Sequence, residues 1–236
     1  MKKFGIIGAM DVEVALFTKE LQDLTITKIA KLDFMEGNIN GIPVIVVKSG
    51  VGKVNAAYCA QILISCFNVT HIINTGAAGA FASGLGVLDI VVSTEVMHHD
   101  VDITSWGYKP CTLPDMTTTF IADSSMMKCA AEVCKEVFPE RKCICGRIAT
   151  GDQFICSNEQ KNKIKEMCNP ACVEMEGAAI AQVCSQNEIP FLILRCMSDM
   201  ADDAGSQTAI FNEKTAGETS AALVTAFLKK YNSIEF

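Results

Sequence analysis

Short apolar segments that end in glycine or in an acidic residue alternate along this chain with segments of helical periodicity. An apolar run of four to eight residues is typical of a buried strand, and apolar residues three and four positions apart are typical of a helix. The alternation predicts an α/β fold: a single-domain three-layer α/β/α sandwich with a central mixed, mostly parallel twisted sheet. The predicted strands are 3–8, 43–50, 71–76, 87–93, 144–150 and 190–196, and the predicted helices are 14–24, 54–67, 123–137, 158–167, 175–187 and 214–231.

Chain length and charge limit the partners that this protein can have. With 236 residues and 50% hydrophobic content, residues 1–236 can form one domain with a sizeable core. The net charge is −7 and the basic residues are scattered, which argues against a nucleic-acid groove. The first apolar run ends at Asp11, too early for a signal peptide, and no run approaches the ~18 apolar residues of a membrane span. We therefore expect a soluble cytoplasmic protein without a membrane partner.

The twelve cysteines fall largely inside apolar runs, which predicts buried, reduced thiols that pack as small hydrophobic side chains. Cys143 and Cys145 form a C-x-C pair, but no second pair or nearby histidine completes a tetrahedral zinc site. We therefore expect neither a metal nor a cofactor. A redox or metal protein stays open as a distant alternative.

The informative residues follow the predicted strands, because ligands of parallel sheets bind outside the carboxyl ends of the strands. The glycine turns there complete neither a G-x-G-x-x-G nor a P-loop motif, so Gly76 and Gly79 mark either tight turns or backbone close to a ligand. Carboxylates recur at the same places. Several of them at one edge suit cleavage of a glycosidic bond, which needs an acid for the leaving group and a base for water. These carboxylates are Glu13, Glu174, Glu176, Asp199 and Asp202.

Six segments, in this order, closely resemble bacterial 5′-methylthioadenosine/S-adenosylhomocysteine nucleosidases: GIIGAM..E, KSGVGKVNAA, INTGAAG, TGDQFI, VEMEGAAIAQVC and RCMSDMAD. The resemblance spans essentially the whole chain. It implies a nucleoside phosphorylase-like fold, a homodimer, and hydrolysis of the N-glycosidic bond of 5′-methylthioadenosine and S-adenosylhomocysteine, and also of 5′-deoxyadenosine. The products would be adenine and the 5′-thio-substituted ribose, in methionine salvage and in removal of methyl-cycle by-products.

The resemblance also implies roles for individual residues. Asp199 would donate a proton to N7 of adenine, with Ser198 and Arg195 orienting that region. Glu13 would activate water, and Glu176 would bind the ribose. The remaining substrate-binding residues would be Met175 beneath the sugar, Phe154 stacked on adenine, Ile155 with its backbone at the base edge, and Ala78, Gly79, Val51 and Met10.

Three residues of the polar stretch at 98–120, a long loop and candidate functional lid, would reach across a dimer interface. The resemblance implies that Trp106, Tyr108 and Pro114 contribute apolar groups to the partner's 5′-thio pocket. Two positions depart from some relatives. Ala77 lies where they carry a serine near the catalytic water, and Trp106 replaces a smaller aromatic residue.

The choice between water and phosphate as nucleophile can be argued from the residues themselves. The only arginines are Arg141, Arg147 and Arg195, so no guanidinium in the N-terminal half can clamp a phosphate at the glycine turns. A carboxylate at Glu13 would repel phosphate where it would help to deprotonate water. The pattern favours a hydrolase over a phosphorylase, and a purine-binding module without catalysis stays open as the alternative from another class.

Overall fold

Ten strands form one mixed sheet and six α-helices pack against it in the computed structural model, which describes residues 2–233. The strands are β1 (Phe4–Gly8), β2 (Gln22–Ile29), β3 (Leu32–Ile39), β4 (Ile42–Lys48), β5 (His71–Ala80), β6 (Ile90–His98), β7 (Phe120–Ile121), β8 (Cys143–Thr150), β9 (Cys172–Glu174) and β10 (Phe191–Asp199). The helices are α1 (Asp11–Glu20), α2 (Lys53–Phe67), α3 (Ser124–Val137), α4 (Asn158–Cys168), α5 (Gly177–Gln186) and α6 (Gly205–Asn232).

The sheet is built around β5. This strand pairs in parallel with β1 and β10 and antiparallel with β9. Strands β6, β8 and β9 continue from β10 and return to β5, so this part of the sheet closes on itself, while β4, β3 and β2 extend it beyond β1. The predicted α/β class with a mixed sheet is confirmed. Because β1, β5 and β10 are mutually parallel through β5, their carboxyl ends meet at one edge.

Burial explains why the central strands are readable from sequence. All five residues of β1 and all nine of β10 are buried, as expected for strands covered on both faces. Eight of the twelve cysteines are also buried, which confirms that most of them pack as core residues. Within residues 2–233, no helix combines the length and apolar character needed to cross a membrane.

Two parts of the prediction are wrong. The first helix ends at Glu20 instead of continuing through Leu24, and the chain turns there into the antiparallel strands β2 and β3. Nearly every residue of β2 is exposed, so this edge strand lacks the apolar run that identifies a buried one. The last helix begins at Gly205 rather than near 214. Its first turns place their large apolar residues, Ile210 and Phe211, on the exposed side, so they show no pattern of a buried helix face.

Candidate active site

A cavity of about 220 Å³ opens where the carboxyl ends of β1, β5 and β10 meet. The turn after β1 and the last residues of β5 and β10 line this cavity, and the first half of α6 forms one wall. The cavity is lined by Ala9, Met10, Glu13, Val51, Ala77, Ala78, Gly79, Phe154, Val173, Glu174, Met175, Glu176, Ser198, Asp199, Ala209 and Glu213. A smaller recess beside it adds Gln153 and Ile155.

Glu13 lies in the first turn of α1 with only 2% of its surface exposed. One carboxylate oxygen accepts hydrogen bonds from the backbone N–H groups of Ala9 (2.6 Å) and Met10 (3.0 Å), and the other accepts one from Ala77 (2.9 Å). Burial raises the pKa of Glu13, against the lowering effects of Arg195 and of these three N–H groups. The arrangement fixes the carboxylate in place and favours its binding of a proton.

Gly76 makes room for this carboxylate. A Cβ atom at position 76 would overlap the Oε1 atom of Glu13 and approach Nη1 of Arg195 to 2.5 Å. The glycine is therefore required by close packing of two charged groups against the backbone of β5. Packing against these two side chains is a role that neither interpretation from the sequence included, and contact of the Gly76 backbone with a ligand stays a prediction.

Asp199 is the last residue of β10 and is 1% exposed. Its Oδ1 accepts a hydrogen bond from the backbone N–H of Ala201 (2.7 Å), and its Oδ2 accepts one from the Ser198 hydroxyl (2.8 Å). Burial raises the pKa of Asp199 and outweighs the lowering effect of these two donors. A carboxyl group in this setting retains its proton at higher pH than an exposed one.

Glu174 and Arg195 form an ion pair in which the side chains are 2% and 1% exposed. Arg195 also donates to Oδ1 of Asn74 (2.6 Å), and Glu174 accepts from the hydroxyl of Thr150 and from the backbone N–H groups of Glu176 (3.0 Å) and Gly177 (2.7 Å). Burial alone would raise the pKa of Glu174, but Arg195 and the other donors hold it below its usual value. Glu174 is thus the carboxylate that stays ionised.

Glu176 lies at the start of α5 and contacts the same ion pair. Its Oε2 lies 3.5 Å from Nη2 of Arg195, and its Oε1 accepts a hydrogen bond from the backbone N–H of Gly52 (2.9 Å). Burial and the negative charge of Glu174 raise the pKa of Glu176 to about 7. Three buried carboxylates therefore share one guanidinium, and they hold protons with different strengths.

Most residues named from the sequence line this one cavity or its recess. Arg195 lies beneath the cavity floor and contacts it through Glu176 and Glu174. Trp106 and Tyr108 are 76% and 39% exposed, and neither they nor Pro114 line the cavity of their own chain. Phe154 is 48% exposed and stands at the mouth of the cavity.

Several residues of the site are not distinguished by the sequence. Glu174 is one of five acids near predicted strand ends, and its place at the end of β9, two residues before Glu176, is the signal that could single it out. Thr150 and Asn74 act through buried hydrogen bonds that cross from other strands, and no local pattern marks them. Ala209 and Glu213 were missed because the beginning of α6 was not predicted.

His98 and His99 do not extend the acid cluster. Nε2 of His98 contacts Oε1 of Gln182 (3.0 Å), and the ring of His99 packs against Gly151. Burial lowers the pKa of both imidazoles. Across residues 2–233, no group of three or more His, Cys, Asp and Glu side chains is arranged to hold a metal ion.

Comparisons with known proteins agree with this geometry. Residues 3–229 match the phosphorylase superfamily. A 5′-methylthioadenosine/S-adenosylhomocysteine nucleosidase of Tolumonas auensis is 40% identical over 230 residues, which is 97% of this chain and 99% of the relative.

Solved structures give the same result. The crystal structure of a 5′-methylthioadenosine/S-adenosylhomocysteine nucleosidase from Colwellia psychrerythraea, in complex with adenine, superposes with a TM-score of 0.94 at 40% identity and covers 98% of this chain and 96% of its own. The futalosine hydrolase of Helicobacter pylori superposes with a TM-score of 0.92 at 28% identity and covers 97% of each chain. The chain therefore belongs to the phosphorylase superfamily and, within it, to the 5′-methylthioadenosine/S-adenosylhomocysteine nucleosidases.

Proposed function

We propose that this protein, as one domain over residues 1–236, hydrolyses the N-glycosidic bond of 5′-methylthioadenosine and S-adenosylhomocysteine and releases adenine. The observation that carries the proposal is the separation of two kinds of acid in one cavity. Asp199 lines the smaller recess, proposed to hold the base, where the other acid, Glu174, is paired with Arg195; Glu13 and Glu176 line the main cavity outside this recess. Glycoside cleavage needs this separation, since one group protonates the leaving group while another activates water.

Asp199 is the proposed general acid. Burial at the end of β10 raises the pKa of Asp199, which favours the protonated form that can donate to the adenine ring as the bond to C1′ breaks. Ser198 holds one of its oxygens and Ala201 the other, which leaves the carboxyl little rotational freedom. In this proposal, Phe154 stacks on the base and the backbone of Ile155 binds its edge, while Ala78 and Gly79 form the floor.

Glu13 is the proposed base for water. Its raised proton affinity suits a group that accepts a proton, and its three N–H donors keep it pointed into the cavity. Glu176 binds the ribose hydroxyls, with Met175 beneath the sugar and Met10 and Val51 beside it. Positive charge develops on the ribose in an oxocarbenium-like transition state, and the surrounding carboxylates stabilise it.

Water rather than phosphate is the proposed nucleophile because each arginine already has a partner inside the chain. Arg195 pairs with Glu174, Arg147 pairs with Glu95 (2.6 Å), and Arg141 donates to the hydroxyl of Thr219 (2.9 Å). A bidentate phosphate clamp would have to break one of these pairs.

A homodimer completes the proposed site. Trp106, Tyr108 and Pro114 of one subunit would cover the 5′-thio group bound by the other, which accounts for aromatic side chains left exposed in the single chain. We further propose that the enzyme works in the cytoplasm, in methionine salvage, without a nucleic-acid partner.

The test is direct. Purified protein is incubated with 5′-methylthioadenosine, S-adenosylhomocysteine or 5′-deoxyadenosine, in the presence and in the absence of millimolar phosphate. Free adenine and the sugar product are then separated by chromatography. We expect adenine and the corresponding 5′-thio-substituted ribose from both thio-nucleosides, at a rate independent of phosphate. A sugar 1-phosphate would instead identify a phosphorylase, and tight binding without adenine release would identify a purine-binding module.

A further inference from the structure

One side chain of the cavity has no place in the reaction described above. Glu213 lies on α6, is half-buried and lines the cavity with Ala209, one helical turn before it. Among the residues that the structure describes, none forms a hydrogen bond or ion pair with its carboxylate. The next residue, Lys214, turns to the other side of the helix and pairs with Glu218 (4.0 Å).

The course of α6 shows where Glu213 lies relative to the reacting groups. Residues 205, 209, 213 and 217 share one helix face, because residues four apart lie one above the other. A Cβ atom at Gly205 would lie 3.4 Å from Oδ1 of Asp199, and one at Gly217 would lie 3.5 Å from Cγ of Glu13. Glu213 therefore lies between the acid of the base recess and the proposed water-activating carboxylate, on the wall formed by α6.

The remaining walls identify the part of a nucleoside that faces this position. The base recess and the ribose carboxylates account for two sides of the cavity, with Asp199 at one and Glu13 and Glu176 at the other. What is left is a wall of Met10, Val51 and Ala209, together with Glu213. With the base at Asp199 and the ribose at Glu13 and Glu176, as in the proposed function, this wall is the side left for the 5′-substituent.

A carboxylate among apolar side chains favours a cationic group from the ligand. Partial burial costs an unpaired carboxylate some of its hydration, and a cation that approaches it recovers this loss. The other described residues of the wall are uncharged, so the chain itself offers Glu213 no counter-ion there.

We propose that Glu213 is a specificity-determining residue that favours 5′-thioether substituents carrying an ammonium group and disfavours anionic ones. The inference rests on the proposed nucleosidase function and adds to it the charge of the 5′-substituent. S-adenosylhomocysteine carries both an ammonium and a carboxylate. Its gain in kcat/KM from Glu213 is therefore smaller than that of an otherwise similar tail without the carboxylate.

Three synthetic substrates of matched length test the charge alone: 5′-deoxyadenosines with a 3-aminopropylthio, a butylthio or a 2-carboxyethylthio group. Adenine release is measured at pH 7.5 for the full-length wild type, Glu213→Gln and Glu213→Lys, with 5′-methylthioadenosine as the reference substrate. Glu218→Gln is the matched control, since it removes a carboxylate from the same helix on its exposed side. A thermal melt of each variant checks folding.

For Glu213→Gln we expect kcat/KM to fall about three- to tenfold with the amino tail, to rise with the carboxylate tail, and to stay within twofold for butylthio and methylthio substrates, as for a partly exposed ion pair. Glu213→Lys should reverse the order of the charged tails. Glu218→Gln should change nothing.

Two results would overturn the inference: an unchanged ratio of amino to butyl substrates in both variants, or an equal loss for all tails, which would make Glu213 structural or catalytic. Failure of the wild type to release adenine from any substrate would instead refute the proposed function itself, so the two failures are distinguishable.

Discussion

Arg195 and Glu174 pair directly in the interior, where their side chains are 1% and 2% exposed. Glu176 and Glu13 also interact electrostatically with this guanidinium. The pKa of each of these two carboxyl groups is nevertheless raised, whereas the pKa of Glu174 is lowered. Glu174 therefore neutralises the charge of Arg195, and the carboxylates of Glu176 and Glu13 remain available to bind protons.

Replacing Glu174 with Gln should destabilise the fold and impair the site together. The variant leaves a buried guanidinium without its closest partner, which typically costs about 3–5 kcal/mol, and Arg195 should turn toward Glu176, 3.5 Å away. We expect a lower free energy of unfolding in urea and a loss of kcat. The double variant Glu174→Gln with Arg195→Met should be less destabilised than the sum of the single variants. Strict additivity would mean that the pair is not coupled.

Asp199→Asn should keep the fold and lose turnover. The amide oxygen can still accept the hydrogen bond of the Ala201 N–H, but the group has no proton to donate to the base. Single-turnover adenine release should slow by about 10²–10⁴-fold, the usual contribution of a general acid, while the dissociation constant of adenine changes little. Asp202→Asn, a neutralised acid in the same turn, is the control and should lose less than tenfold. Near-normal turnover of Asp199→Asn would require another acid.

The raised pKa of Glu176 predicts that the free energy of unfolding depends on pH. Its pKa is about 7 in the folded protein against 4.5 in the unfolded chain, so the folded state holds this proton more tightly. Its contribution is fully present below pH 4.5 and is lost as pH rises through about 7. The raised pKa of Glu13 changes the pH dependence of stability in the same direction, and the lowered pKa of Glu174 changes it in the opposite direction. The effect of Glu176 is therefore isolated by comparing the wild type with a variant at this position.

The measurement is urea unfolding of wild type and Glu176→Gln at pH 5 and pH 8. Relative to the wild type, the variant should gain roughly 2–3 kcal/mol between the two pH values, since one pKa unit corresponds to about 1.4 kcal/mol. The exposed Glu166→Gln should show no such change. A pH-independent difference for Glu176→Gln would show that the carboxyl is ionised throughout.

The buried strands, and the residues that follow them, can be predicted from the sequence. The apolar runs of β1, β5 and β10 carry a signal because both faces are covered, and Glu13 and Asp199 were identifiable because acids beside such runs are rare. Edge strand β2 is polar and exposed, and so carries no comparable signal.

Long-range pairing could not be predicted in the same way. Arg195 on β10 pairs directly with Glu174 on β9 and lies 3.5 Å from Glu176 at the start of α5, and this choice of partner depends on how separate elements pack together. The place of Glu213 in the cavity depends on where α6 begins and on which face of the helix points inward. The sequence gives no sign of that face, because Ile210 and Phe211 in these turns are exposed.

The variant Gly76→Ala tests whether Gly76 is needed for close packing against Glu13 and Arg195 or only for the flexibility of a turn. The added methyl group would overlap the Glu13 carboxylate and press on Arg195, so both must shift, which typically costs about 1–3 kcal/mol of stability. Displacing the proposed base by about 1 Å should lower kcat/KM about 100-fold. Gly86→Ala is the control, because its new Cβ would meet only Oδ2 of Asp89 at an ordinary 3.7 Å. If Gly76→Ala hydrolyses 5′-methylthioadenosine at the rate of Gly86→Ala, the position of the Glu13 carboxylate does not limit the reaction.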